Sequence, residues 1–262
     1  MSSIDISLID ETRRYKFQKL KGEEGALLKD ETDTKVRTFF VHYGEVIVHR
    51  QGYDYETLKA GQWFLAPPGV KYELSVSIPF YAVQANSNVE TGEQICMIID
   101  DAKGKREENL TDFKLIKEPK KVIKPWGHEL WISWFKDHHV LKQIGMNAGN
   151  MSSLQLHKYK LETNYLVSGE ADVIDKIPMD LSLAETEMKK RILGIDLAKH
   201  TTRMVPGDMW TSEPGIIHRV ISSQDYIAYE TSTPELDDVI RLSDVSKRGS
   251  GRIQNEHAMG NQ

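Results

Sequence analysis

The chain has 262 residues, a net charge of -5 and 39% hydrophobic residues, among them five Trp and ten Tyr. That is enough apolar material for one large core or two medium ones, and it excludes a disordered chain. Acidic and basic residues are well mixed, which argues against a nucleic-acid partner, and no apolar run approaches the roughly 20 residues that span a bilayer.

The first fourteen residues carry too many charges for a signal peptide. With Cys96 as the single cysteine, no intramolecular disulfide can form, so a reducing, cytoplasmic location is expected. Along the chain, Val36-Arg-Thr-Phe-Phe-Val-His-Tyr-Gly44-Glu-Val-Ile-Val48 reads as strand, turn, strand. Residues 61–72 then give Gly61, a short strand, a Pro67-Pro-Gly69 turn and another strand up to Tyr72. Cys96 is expected to be a buried thiol on a strand. The charged stretch 100–109 and a second polar run from Lys117 to Lys121 separate this half from the next. Trp126, Trp131 and Trp134 are expected in core or interface packing, with Trp131 and Trp134 on opposite faces of a regular strand.

The pattern then recurs. Asn164-Tyr-Leu-Val-Ser-Gly169-Glu-Ala-Asp-Val-Ile174 has the shape of 36–48, and 207–218 matches 61–72 almost position for position. Gly44 and Gly61 are 17 positions apart and Gly169 and Gly207 are 38 apart, so the second copy carries 21 extra residues. Within them Ser182-Leu-Ala-Glu185 suggests a capping box, followed by Met188, Ile192 and Ile195. This predicts a short helix and a return strand, either a decorative surface insertion or a lid. Short strands punctuated by Gly and Pro, in two copies, predict an all-β protein built of sandwiches or barrels.

The second copy carries the chemistry. Gln155 and His157 alternate along an extended segment and share a face. Glu162 returns to that face after a turn, and His218 comes from another strand. Two imidazoles, a carboxylate and an amide oxygen suit a borderline divalent cation, zinc above all, with manganese, iron and nickel as alternatives.

These two stretches resemble the sequence motifs of the cupin superfamily: Gly149, Gln155, His157, Glu162 and Gly169 in the first, Gly207, Gly215 and His218 in the second. Gln155 stands where the first His is usual, Pro214 falls one place late, and Ser222 replaces an Asn. The Gln-x-His pair is similar to that of mannose-6-phosphate isomerases. Lys124-Pro-Trp-Gly127 and Asp238-Val-Ile-Arg-Leu-Ser-Asp-Val245 resemble the entry and closing segments of the type II mannose-6-phosphate isomerase domain. The family's final Arg falls on Arg248, while Ser246 and Lys247 replace its Tyr-Gly. The narrower resemblance covers about residues 122–248.

The resemblance implies two tandem cupin (double-stranded β-helix, or jelly-roll) barrels with a short helical insertion in the second. The expected domains are residues 1–115, without metal ligands, residues 120–245, which bind metal, and a polar flexible tail over 246–262. In the first copy the ligand positions hold Asp30, Thr32 and Arg37, with Tyr72 in place of His218, so it should bind no metal. The implied activity is aldose–ketose isomerisation through an enediolate stabilised by the cation. Candidate bases are Lys158, Lys160, His128 and Glu213. Candidate phosphate contacts are Lys160, Arg203 and Arg248, with Arg219 discounted because it points away from His218 on its strand. Lys160 and Arg248 are taken as catalytic residues, and Trp210 is a weak candidate for stacking on sugar. The expected partner is a small sugar or sugar phosphate, and a second copy of the chain, in a homodimer, is a further candidate partner. A metal-dependent oxygenase or lyase and a non-catalytic metal- or carbohydrate-binding protein remain the alternatives.

Overall fold

The computed structural model describes residues 2–32, 34–50, 52–89, 95–101, 104–116 and 118–258. The chain is dominated by strands and divides into two units: Met1–Lys120 with Trp131–Leu141, and Lys121–Leu130 with Lys142–Gln262.

In unit 1 the sheet runs Asp5–Glu11, Tyr15–Gly22, Lys71–Ser87, Arg37–Arg50, Trp63–Ala66, Lys114–Ile116. Leu27–Glu31 adds to Lys71–Ser87, and Glu56–Lys59 adds to Arg37–Arg50. The two long strands pair along their length with register shifts between Val41 and Val46. Such bulges bend a sheet, so that one face closes on itself. Phe39, Val46, Phe64, Leu74 and Phe80 fill the enclosed core, with the rings of Phe39 and Phe64 stacked at 4.9 Å. The charged stretch 100–109 is not a linker: Ile95–Asp101 and Gly104–Leu110 pair as a hairpin, while residues 102 and 103, like Lys117, lie outside the described residues. Ile95 and Met97 are buried while Cys96 between them is half-buried, with its thiol 3.5 Å from Glu107 Oε2. The period-two alternation of a strand accounts for this departure from the expected buried thiol. The Trp131 and Trp134 rings, expected on opposite faces, meet edge to face at 5.5 Å.

Most strands of unit 2 lie in two sheets. One runs Lys120–Lys124, Gly127–Trp134, Val140–Met146, Tyr226–Ser232, Glu162–Ser168, Met209–Ser212. The other runs Thr201–Met204, Ala171–Pro178, Ile216–Ser222, Leu154–His157, Val239–Ser243. Trp126, Ile144, Leu166, Val173, Trp210 and Ala228 form one apolar cluster. A second cluster brings Leu154, Leu156, Ile217, Ile240 and Leu242 together with Met188 and Ile192. Because strand residues alternate faces, this places Gln155, His157 and His218 on the opposite side of the same sheet.

The 21-residue insertion supplies Met188 and Ile192. Its helix spans Glu185–Ile192, followed by a 3-10 turn at Leu197–His200 and the strand Thr201–Met204. The capping box does not form. Ser182 instead donates from both its backbone and its hydroxyl to Asp180 Oδ1, and the helix starts at Ala184 with no side-chain cap. Packed against Leu156 and Ile240, the insertion backs the sheet that carries Gln155 and His157, so the lid reading falls away.

The internal repeat extends to strand register. Asp30 pairs with Tyr72 as Gln155 pairs with His218. Arg37 faces Ala66 and Asn86 as Glu162 faces Ser212 and Ser232. Gly44 and Gly169 have φ of 80° and 78°, and a Cβ on either would lie 2.1 Å from a carbonyl oxygen, that of Pro79 or Asp225. Both the left-handed backbone and the close approach demand glycine. Gly169→Ala is expected to lower the stability of unit 2 by about 1–3 kcal/mol or more. The check is a urea unfolding curve, with Gly44→Ala producing the same loss in unit 1.

The segment expected as a flexible tail is anchored as far as it is described. Arg248 donates to Asp244 Oδ1 at 2.8 Å and to Glu256 Oε1 at 3.0 Å. Lys124 Nζ reaches Glu256 Oε2 at 2.9 Å, and Arg241 Nη1 reaches the Gly251 carbonyl at 2.7 Å. Glu256 and His257, on the short helix Gln254–Ala258, are buried. Polar composition misleads here because the charges meet partners in unit 2; residues 259–262 lie outside the described residues. Among the described residues, no helix is long and apolar enough to cross a membrane.

Candidate metal centre

His157, Glu162 and His218 each offer one donor atom, and these atoms all lie within 4.8 Å of one another. The three residues are 4–6% exposed. His218 Nε2 stands 3.3 Å from Glu162 Oε1, and His157 Nε2 stands 3.8 Å from Glu162 Oε2. The two imidazoles stack with centroids 5.4 Å apart and planes inclined by 22°.

The second nitrogen of each ring fixes where the proton sits. His157 Nδ1 is 2.6 Å from Asp238 Oδ1, and His218 Nδ1 is 3.1 Å from the Ile216 carbonyl. An ionised carboxylate and a carbonyl only accept, so both Nδ1 atoms donate, and both Nε2 atoms are left facing Glu162, where a neutral ring carries its lone pair. His157 Nε2 is buried without a hydrogen-bond partner. Donors about 2.0–2.1 Å from a tetrahedral zinc are about 3.4 Å apart, close to the spacings found. The donor set, its separation and the orphaned nitrogen therefore fit a divalent cation.

Gln155 sits beside the cluster, its amide nitrogen 3.3 Å from His218 Nε2 and its oxygen accepting from Ser153 Oγ at 2.6 Å. In this orientation it offers an N–H, not an oxygen. Turning the amide over exchanges the two atoms, and the Ser153 hydroxyl can serve either orientation.

Burial opposes the charge on Glu162, but the Lys160 ammonium, then His218 and His157, hold its carboxyl well below the usual range. Lys160, itself 4% exposed, donates to Glu162 Oε2 and, at 2.8 Å, to Glu230 Oε1. Burial works against its charge too, and Glu162 and Glu230 outweigh it, raising its pKa. Burial lowers the pKa of His218, which keeps its ring neutral.

Beyond Lys160 an alternating run of buried and half-buried charges continues. Lys142 Nζ lies 3.7 Å from Glu230 and 3.6 Å from Glu129, and Lys124 Nζ lies 3.6 Å from Glu129 and 2.9 Å from Glu256. The run ends on Arg248, 3.0 Å from Glu256. Lys160 is thus in direct contact with the cluster, while Arg248 is paired with Asp244 and Glu256.

Sequence reasoning missed Glu129, Lys142, Glu230 and Asp238 as site residues. A signal existed for Lys142: it alternates with Ile144 and Met146 on a strand, a charge on an otherwise apolar face. The remaining candidates lie elsewhere. Lys158 and Glu213 are exposed, and Arg203 pairs at the surface with Asp172 at 3.2 Å. Arg219 donates to the Ser243 carbonyl, and His128 is half-buried against Gly145. Trp210 lies in the apolar cluster with Trp126.

The equivalent positions of unit 1 hold no such donor set. Arg37 donates to Asp30 and, at 2.5 Å, to the Tyr72 hydroxyl, while its Nε donates to Asn86 Oδ1 at 2.7 Å. Thr32 is engaged with the Pro67 carbonyl and the Val70 amide. A guanidinium thus occupies the register positions that carry the cluster in unit 2. Gln18 with Gln84 and Asn86 supplies neutral amide contacts in this half.

No protein-family model and no curated protein matches the chain. Solved structures do match in fold. Oxalate decarboxylase from Lactobacillus farciminis, in a formate complex, is 10% identical with a TM-score of 0.62, over 92% of this chain and 85% of that one. Procruciferin, an 11S globulin from Brassica napus, is 12% identical with a TM-score of 0.62, over 92% and 84%. AerE from Microcystis aeruginosa is 9% identical with a TM-score of 0.58, over 88% and 91%. The fold is that of two cupin-type β barrels, shared by an enzyme and a globulin alike.

Proposed function

We propose that unit 2 is a metal-dependent sugar or sugar-phosphate isomerase, holding a divalent cation on His157, Glu162 and His218 with Gln155 as a neutral fourth donor. The observation that carries the metal is the convergence of two buried Nε2 atoms on one carboxylate, with both Nδ1 atoms already engaged by acceptors. The sugar isomerase reading rests on the Gln155-x-His157 pair and on the resemblance of residues 122–248. When bound, the ion supplies Lewis-acid stabilisation of negative charge on substrate oxygen. Lys160 keeps Glu162 ionised and holds its carboxylate in place through Oε2. With its pKa raised by the two carboxylates, Lys160 acts as a standing positive charge and not as a base. The donor set suits zinc, and manganese, iron or nickel would be accepted by the same atoms.

A non-catalytic metal-binding role has one observation in its favour, the near-complete burial of all three donors. The two readings part in one experiment. Purified protein is expected to bind one equivalent of zinc or manganese and, once loaded, to interconvert mannose 6-phosphate and fructose 6-phosphate in a coupled assay. Full loading without turnover of either sugar phosphate or of the free sugars would favour the non-catalytic role; no loading would sink both.

A further inference from the structure

We infer that Asp238 is the positioning residue that makes His157 a ligand, a role that rests on the metal reading of this site and extends it. Asp238 lies 81 positions beyond His157 in sequence, just before the strand Val239–Ser243 that pairs with Leu154–His157. Its two oxygens do different things. Oδ1 accepts the Nδ1 proton of His157 at 2.6 Å. Oδ2 accepts the backbone N–H groups of Tyr159 at 2.7 Å and Lys160 at 3.0 Å. One carboxylate therefore sets the tautomer of His157 and also holds the turn that carries Lys160 and leads to Glu162.

The consequence is chemical as well as mechanical. An imidazole presents a lone pair on Nε2 only when the proton sits on Nδ1, and the partner of Nδ1 decides that. A carboxylate on Nδ1 also makes the opposite nitrogen a better donor. His218 obtains its tautomer from a backbone carbonyl, that of Ile216. His157 depends on a side chain, so a single substitution can switch its donor nitrogen off while the fold stays in place. The backbone contacts of Oδ2 predict a modest loss of stability in addition, but contacts of that kind cannot move a ring proton.

The test uses the full chain, metal-free and labelled with 15N histidine, as wild type, Asp238→Ala and Asp238→Asn, with His157→Ala to assign the resonances. The wild type is expected to show His157 protonated at Nδ1 with a free Nε2. Asp238→Ala is expected to lose that pattern and to bind zinc about 10- to 100-fold more weakly, still at one equivalent. Asp238→Asn, which keeps an acceptor oxygen, is expected to fall between the two, and it carries the test if the alanine variant does not fold. Retention of the Nδ1–H form in the variants, or wild-type zinc affinity in both, would overturn the role of Asp238. If the tautomer shifts as expected but the wild type takes up no zinc, the metal reading fails while the control of His157 by Asp238 stands.

Discussion

Lys160→Met is expected to destabilise unit 2 by about 3–5 kcal/mol at neutral pH, the cost of leaving buried charge without its partner. The side chains of Lys160 and Glu162 are each 5% exposed, and that of Glu230 is 11% exposed. Removing the ammonium leaves two carboxylates facing one another in a medium that screens them poorly. Lys142, 3.7 Å from Glu230, can relieve only one of them. The effect has a definite pH signature. In the wild type the folded-state pKa of Glu162 is depressed below its ordinary value of 4.5, so its contribution to stability is present above that value and is lost as the pH falls through the folded pKa. In the variant the buried Glu162 carboxyl, without its ammonium, gains by protonation, so the gap between variant and wild type narrows as the pH drops from 7 toward 4. Urea unfolding followed by tryptophan fluorescence across that range measures both the gap and its slope. Bound zinc would partly replace the missing positive charge on Glu162, so the gap is also expected to shrink on metal loading. A variant as stable as wild type at pH 7, with or without metal, would mean that Lys160 is not the brace of this site.

Glycine spacing and period-two alternation were enough to read the two-copy β architecture, because both follow from local backbone rules. Gly44, inside the bulged strand Arg37–Arg50, and Gly169 take left-handed backbone pressed against a carbonyl, and such a constraint shows in the residue itself. The convergence of His157 and His218 was readable for the same reason: they lie on paired strands, where alternate positions share a face, while Glu162 joins them from the other sheet. What could not be read is what depends on distant pairing. Lys142, Glu230 and Glu129 each look like an ordinary strand charge until the sheet brings both glutamates within 3.7 Å of Lys142. The residues beyond 245 were read as a free tail because composition records how polar a segment is and not whether its charges are matched; Arg248 and Glu256 are matched. The capping box failed for a local reason, competition from Asp180 for Ser182.

Loss of both imidazoles is expected to abolish stoichiometric metal binding. In His157→Ala/His218→Ala the cluster keeps only Glu162, already held by Lys160, and the neutral Gln155. A carboxylate shared with an ammonium is a poor lone ligand, so affinity should fall well beyond the about 10- to 100-fold that follows loss of an outer partner. The fold should survive, since the apolar contacts of Leu154, Leu156 and Ile217 lie on the other face of the same strands. Glu162→Gln separates charge from shape. The amide can still meet Lys160 and His218, but it brings no negative charge to the cation, so metal affinity should drop although both histidines remain. Elemental analysis of all three proteins, prepared side by side, reads this directly. If the sugar isomerase assignment holds, turnover should fall with the metal by at least about 100- to 1,000-fold, the range lost when one charge-stabilising group is removed. Stoichiometric metal persisting in the double variant would place the ion elsewhere in the chain. Metal lost with turnover unchanged would separate the activity from the cluster, since the isomerase reading requires both to fall together.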